Sequence, residues 1–240
     1  MPIFSKLNQI MLDVSRIGQD WSQKRSELIL DEKSAGDFAT NADIDVEHYL
    51  RAALAEKFPG QPVLGEEFGG DLSPDQTGWV IDPIDGTSNF ALGLPIWGIS
   101  VGYIVEGKSV MGAISLPDLD IIVSAEAGKG IRLNNREIQA QKFNPAIMVI
   151  GLGENDFETG QQTDARAEKL RQDGYAVVRY RCAVFSLAMS ALGRLSGYVE
   201  NGCCLWDVAA ADVICREAGL QVETAKIADG RYSIDARWVK

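Results

Sequence analysis

The sequence predicts a layered fold of helices and sheet, α+β in its first half and α/β in its second, and three observations carry that prediction. Strand-like apolar runs after residue 98 are joined by short turns, which makes an antiparallel meander. Beyond Asn144-Pro145 the rhythm changes to strand alternating with helix. Two long helical periodicities precede both. A soft boundary near residue 143 therefore separates residues 1–142, an N-terminal half built on antiparallel sheet, from residues 143–240, a C-terminal mixed α/β half.

Taken in order, Ile3, Leu7, Ile10, Met11, Val14 and Trp21 recur at helical spacing, so the chain opens on a helix from Ile3 to about Trp21 packed on a core. A second helix runs roughly from Ala42 to Lys57, with Ile44, Leu50, Ala53, Leu54 and Phe58 on one face and Pro59-Gly60 as its stop. Thr40 or Asn41 could cap it, and if either does, Asp43 is left for chemistry. His48, the single histidine, reads as a surface or partly buried helical residue and not as a nucleophile. Pro62-Val63-Leu64-Gly65 is strand-like and delivers Glu66 and Glu67, one of which could ligate an ion. Trp79-Val80-Ile81 ends a buried strand, and Pro83, which has no N–H for a ladder, forces the chain out of the sheet. The amides of Gly86, Thr87 and Ser88 then open a short helical segment through Leu92.

Strands follow at Ile99 to Val105, Val110 to Leu116, Ile121 to Ala125 and Gly130 to Leu133. The second half supplies a strand at Ile147 to Gly151, a polar helix near Ala165 to Gln172, a strand at Ala176 to Tyr180 and a helix near Val184 to Leu192. After Tyr198-Val199, Asp207 opens an apolar helix from Val208 to Ala218, as an N-cap or as a ligand at a helix start.

The turn Asp82-Pro83-Ile84-Asp85-Gly86-Thr87 concentrates the chemistry. Two carboxylates three positions apart reach one cation or two adjacent ones, and like charges packed so closely need a cation between them. Hard oxygen ligands favour Mg2+, Mn2+ or Ca2+. Gly86 lets backbone approach a ligand, and the helix start beyond it favours an anion.

Composition agrees with an enzyme and excludes other classes. Of 240 residues, 46% are hydrophobic, enough for a sizeable core, and no stretch resembles a membrane span. A net charge of −11 argues against a nucleic-acid backbone or anionic membrane as partner, but not against a phosphorylated substrate bound through divalent ions. Cys182, Cys203, Cys204 and Cys215 form no C-x-x-C pattern and read as reduced thiols of a cytoplasmic protein, with no secretion signal expected.

Four ordered elements carry a resemblance: Asp37-Phe38-Ala39-Thr40-Asn41-Ala42-Asp43, Gly65-Glu66-Glu67, the Asp82-to-Thr87 turn with Asn89-Phe90, and Trp206-Asp207-Val208-Ala209 with Glu217-Ala218-Gly219. Together they resemble the inositol monophosphatase family. That resemblance implies the αβαβα sandwich of the sugar phosphatase type and a Mg2+-dependent phosphomonoesterase, using two or three ions, with Mn2+ a substitute and Ca2+ or Li+ inhibitory. It implies Glu66, Asp82 and the Ile84 carbonyl around a first ion, and Asp82, Asp85 and Asp207 around a second. Lys33 matches a basic position near a loosely held third ion. It further implies that Thr87, supported by Asp43, activates the attacking water alongside Glu66, and that Asp85, Gly86, Thr87, Glu200 and Asp207 meet the substrate. A homodimer acting on a small phosphorylated polyol or sugar is the expected assembly. Fructose 1,6-bisphosphate, histidinol phosphate and 3′-phosphoadenosine phosphate remain alternative substrates, and a non-catalytic phospho-ligand-binding relative the alternative class.

The chain also departs from the pattern. Where relatives usually show a glycine, a Ser or Thr, and two alanines, this chain has Arg181-Cys182-Ala183-Val184. Arg181 could pair with a second phosphate or a carboxylate, face the core, or join a surface ion pair. Cys203-Cys204-Leu205 lacks a histidine found in some inositol-cleaving members, and the stretch from Gly219 to Lys240 leaves the family's closing strand and helix abbreviated.

Overall fold

The computed structural model describes residues 2–34, 37–70, 72, 76–139 and 143–239. Residues 140–142, where the sequence places the boundary between halves, the Asp37 side chain and Lys240 lie outside the described residues.

Five layers stack in the order helix, sheet, helix, sheet, helix. The outermost holds α1 (Ile3–Gln23) and α2 (Asn41–Lys57). On α1 the buried stripe is Phe4, Leu7, Ile10, Met11 and Val14, while Ile3 stays half-exposed. On α2 it is Val46, Leu50 and Leu54, and Asp43 and Glu47 lie on the same buried side. Between the helices, β1 (Leu30–Ser34) and β2 (Asp37–Thr40) form a small antiparallel hairpin with no counterpart in the sequence reading.

The first large sheet has β3 (Val63–Gly65), β4 (Gly78–Asp85), β5 (Gly98–Val105), β6 (Lys108–Leu116), β7 (Ile121–Glu126), β8 (Ile131–Leu133) and β9 (Arg136–Ile138) in sequential order. All its pairings are antiparallel except β3 with β4. Trp79, Ile81, Ile99 and Val101 meet α1 and α2 in one core. A short helix, α3 (Thr87–Ala91), follows β4.

The second sheet runs β11–β10–β12–β14–β13, from β10 (Val149–Leu152), β11 (Ala176–Val178), β12 (Gly197–Cys203), β13 (Gln221–Ala228) and β14 (Arg231–Arg237). β10 pairs in parallel with β11 and β12, and β14 joins antiparallel. The expected shortfall after Gly219 is thus not one of strands, for a complete hairpin follows it. Its outer face carries Glu223, Ser233 and the paired Asp235 and Arg237.

Between the sheets lie α5 (Ala183–Ala191) and α6 (Leu205–Ala218), whose buried side chains bind both halves into one core. The outer helix α4 (Gly160–Gln172) covers β10 and β12 through Ala167 and Leu170. It starts well before the expected Ala165, because Thr159 and Gln162 close a reciprocal capping box. Where α6 crosses the first sheet, paired Gly102 and Gly112 lie under Ala209 and Ala210. A Cβ on Gly112 would stand 2.4 Å from the Ala210 carbonyl oxygen, so only bare backbone lets the helix seat this deeply.

Candidate active site

Four chain segments converge where β4 leaves the first sheet. The β4–β5 register slips between Asp82 and Asp85, around the proline that cannot donate to the ladder. Asp82 is buried, and its Oδ1 meets no hydrogen-bond partner among the described residues. Burial, together with the charges of Glu66, Asp85 and Asp207, raises the Asp82 carboxyl well above the usual range. Asp207 is raised well above its range by burial and by Asp85, Glu200 and Glu66. Glu66 is pushed up to about 7, chiefly by burial, with Lys33 opposing and Glu67 and Asp43 adding. Asp85 is also raised by burial, although N–H groups of the α5 start moderate it. The four acids therefore repel one another across a shared space.

Asp85 is held across the layers. Its Oδ2 accepts from the Val184 N–H at 2.6 Å and lies 3.3 Å from the Cys182 thiol. The start of α5 thus orients an acid from the other half. Gly86 has a left-handed backbone, φ +84°, and a side chain there would press on Cys182 and the Ile96 carbonyl.

Asp43 and Asp207 each serve twice. Thr40 caps α2, and Asp43 Oδ2 accepts from the Thr40 N–H at 2.8 Å and its hydroxyl at 2.5 Å. Capping therefore does not free Asp43, as the sequence reading supposed; it engages one oxygen and leaves Oδ1 3.2 Å from the Thr87 hydroxyl. Burial lifts this carboxyl to about 6 against the Thr40 hydrogen bonds. Asp207 stands at the same third position of α6, its Oδ2 taking the Cys204 N–H at 2.6 Å. Thr87 has a second acceptor in the Ile84 carbonyl, 2.9 Å away, while the Ile84 side chain is buried.

A residue the sequence reading passed over positions the Glu66 turn. Glu47, fully buried one helical turn after Asp43, accepts from the N–H groups of Glu67 at 2.8 Å and Phe68 at 3.2 Å. Arg51 Nε donates to Glu47 at 2.8 Å and its other nitrogens reach the carbonyls of Val63 and Gly69. His48 is exposed and stacks on Phe68, as a helical surface residue would. The spacing of 43, 47, 50 and 54, a core-facing stripe with two acids on it, was the signal for Glu47. Lys33 Nζ bridges Glu66 at 3.1 Å and Glu67 at 2.6 Å.

On the far wall, Glu200 is buried with both oxygens engaged, Oε1 by Asn155 at 2.9 Å and Oε2 by the Tyr198 hydroxyl at 2.6 Å. Burial raises it to about 7 despite those bonds. Arg181 is exposed, holds φ +53°, and makes no hydrogen bond or ion pair with any described residue.

Among the described residues no three Asp, Glu, His or Cys side chains close as a ready-made ion cage. The donor set nevertheless fits hard cations: the oxygens are carboxylates and a carbonyl, their charges are mutually repulsive, and Asp82 Oδ1 is buried without a partner. All four cysteines are free, and no described helix is long and apolar enough to cross a membrane.

Known proteins resemble this chain in sequence and fold. The sequence profile of the inositol monophosphatase family matches residues 8–236. Inositol-1-monophosphatase SuhB of Mycobacterium tuberculosis is 36% identical over 205 residues, 80% of this chain and 70% of its own. A protein named Nus factor SuhB from Pasteurella multocida is 30% identical over 201 residues, 82% of this chain and 75% of its own. The crystal structure of extragenic suppressor protein suhB from Bartonella henselae superposes with a TM-score of 0.83 at 26% identity, covering 97% of this chain and 93% of that one.

Proposed function

The chain belongs to the inositol monophosphatase family, and on that premise we propose that it is a Mg2+-dependent phosphomonoesterase that hydrolyses a small phosphorylated polyol or sugar. One observation carries the reading: Asp82, with a bare buried oxygen, and Asp207 are raised by burial and by the charges of Glu66 and Asp85, so that acids from three separate segments meet at one place. Glu66, Asp82, Asp85, Asp207 and the Ile84 carbonyl would hold the ions. Bound there, Mg2+ supplies charge neutralisation for the phosphate dianion and acidifies a water.

The chain's own groups do the rest. The Thr87 hydroxyl has one proton and two acceptors, the Ile84 carbonyl and Asp43. With that carbonyl engaged elsewhere the proton goes to Asp43, and a lone pair on Thr87 is left to orient a water and receive its proton. Asp43 must be ionised for this, and its carboxyl, at about 6, is so at neutral pH. Glu47 and Arg51 fix the turn that aims Glu66. Gly86 and Thr87 supply backbone for the phosphate, and Glu200, placed by Tyr198 and Asn155, borders the leaving-group side.

The relative named Nus factor SuhB raises a second reading, a chain that works by binding partners without turnover. The intact set of acids with Thr87 favours the enzyme. Phosphate release from inositol 1-phosphate, fructose 1,6-bisphosphate, histidinol phosphate and 3′-phosphoadenosine phosphate, with and without Mg2+, decides between them. Metal-dependent turnover of at least one ester is expected; none on any would favour the binding protein.

A further inference from the structure

We propose that Arg181 determines specificity by reading a second anionic group, phosphate or carboxylate, on the ester that the site cleaves; the inference rests on the phosphatase reading. Three uses of this arginine are open from sequence; the fold closes the first, and the described residues offer no partner for the second. It does not face the core, because it is exposed. It joins no surface ion pair with a described residue, although Arg179, two positions earlier, takes both Glu154 at 3.0 Å and Asp164 at 2.7 Å. Arg181 pairs with neither of these carboxylates.

Its position supplies the third use. In sheets with parallel strands, ligands collect in the crevice outside the carboxyl ends. β10, β11 and β12 run parallel, and the segments leaving their carboxyl ends carry Asn155, Arg181 and Cys204, the last opening the helix of Asp207. Arg181 is therefore on the edge that already supplies the second-half part of the site. It is also next to the link between halves: Cys182 lies 3.3 Å from Asp85 Oδ2, and Val184 N–H donates to that oxygen at 2.6 Å. Arg181 is exposed there, and its long side chain is one residue in sequence from the group that touches Asp85.

The backbone points the same way. Arg181 holds φ +53°, a left-handed conformation that glycine adopts freely and arginine at a cost. Strain of this sort clusters at functional sites. In a chain of net charge −11 the ions of the site can neutralise the reacting phosphate, but a second anionic group needs a protein cation of its own. The planar fork of arginine suits phosphate and carboxylate alike.

The test compares kcat/KM for inositol 1-phosphate, which carries no second anion, with fructose 1,6-bisphosphate and 3-phosphoglycerate, in the parent, Arg181→Gly and Arg181→Lys. Glycine suits the backbone here, so that variant folds. The parent should favour at least one of the doubly anionic esters, and the two esters identify phosphate or carboxylate as the group that is read. Arg181→Gly should reduce that preference roughly tenfold to a hundredfold, the range commanded by hydrogen bonds to charged groups, with inositol 1-phosphate unchanged. Arg181→Lys should restore part of it, and added salt should erode the preference of the parent and of Arg181→Lys but not that of Arg181→Gly. No preference in the parent, an unchanged ratio in Arg181→Gly, or an equal fall on every ester would overturn the proposal. Absence of turnover by the parent on any ester would sink the phosphatase reading instead, and this inference with it.

Discussion

Replacing Gly112 by alanine tests whether the depth of α6 matters to catalysis. The new methyl carbon would lie 2.4 Å from the Ala210 carbonyl oxygen and 2.7 Å from its Cα, where ordinary contact begins near 3.4 Å. The clashing atoms are backbone, so no side chain can swing away, and α6 must rise by about 1 Å or β6 must sink by as much. Helix α6 carries Asp207 in its first turn, with Oδ2 fixed to Cys204 and its charge facing Asp85 and Glu66. Overpacking of this kind costs about 1–3 kcal/mol. A displacement of ~1 Å at a catalytic group costs on the order of a hundredfold in rate. The assay pairs a urea unfolding curve with kcat at saturating Mg2+. Gly160→Ala is the control, since nothing lies within 4 Å of its Cβ. A Gly112→Ala protein with the parent's unfolding midpoint and the parent's kcat would refute the claim that bare backbone at this crossing sets the site.

Three further outcomes are expected. Asp85→Asn should abolish turnover while the fold is kept, because asparagine still offers an oxygen to the Val184 N–H and removes a charge that burial disfavours; full retained activity would sink the metal assignment. Glu47→Ala leaves the Glu67 and Phe68 N–H groups and Arg51 without their acceptor and should destabilise by about 3 kcal/mol, while Glu47→Gln should fold and raise the Mg2+ concentration needed for half-maximal rate; an unchanged Mg2+ titration would show that Glu47 does not aim Glu66. Glu200 is held at about 7 in the fold against an ordinary 4.5, so its contribution to stability is complete below 4.5 and is lost as pH rises through 7. The gap is worth about 3 kcal/mol, so Glu200→Gln should gain on the parent between pH 5 and 8 in urea midpoints measured without divalent ions. Parallel profiles would contradict the burial argument.

Much of this was legible in the sequence because the chemistry is local. Asp82, Asp85 and Thr87 sit within one turn, and the helices after Asp43 and Asp207 announce themselves by apolar periodicity. The meander and the change of rhythm after Pro145 read directly, as did the mixed character of the second half. What escaped was set by tertiary contact. Glu47 looks like one more charged residue of a surface helix until the Glu66 turn lies against it. The β13–β14 hairpin has charged residues on its outer face, so apolar counting undervalues it. The start of α4 was missed although Thr159-Gly160-Gln161-Gln162 spells a capping box, because the apolar pattern begins only later. Whether a cap frees its neighbour for chemistry cannot be read from spacing, and at Asp43 the same carboxylate does both.

That shared duty ties the site to the integrity of two helix ends. Asp43 and Asp207 each spend one oxygen closing the first turn of a helix and turn the rest of the carboxylate toward the centre. Fraying of either turn therefore dismantles the site in the same motion, and assembling the site locks the turn. Local opening and ligand occupancy become two readings of one equilibrium. The backbone amides of Thr40 and Cys204, which donate to those carboxylates, are then natural reporters: their hydrogen exchange should slow when ions or a phosphate ester bind, because each amide is already engaged by its carboxylate.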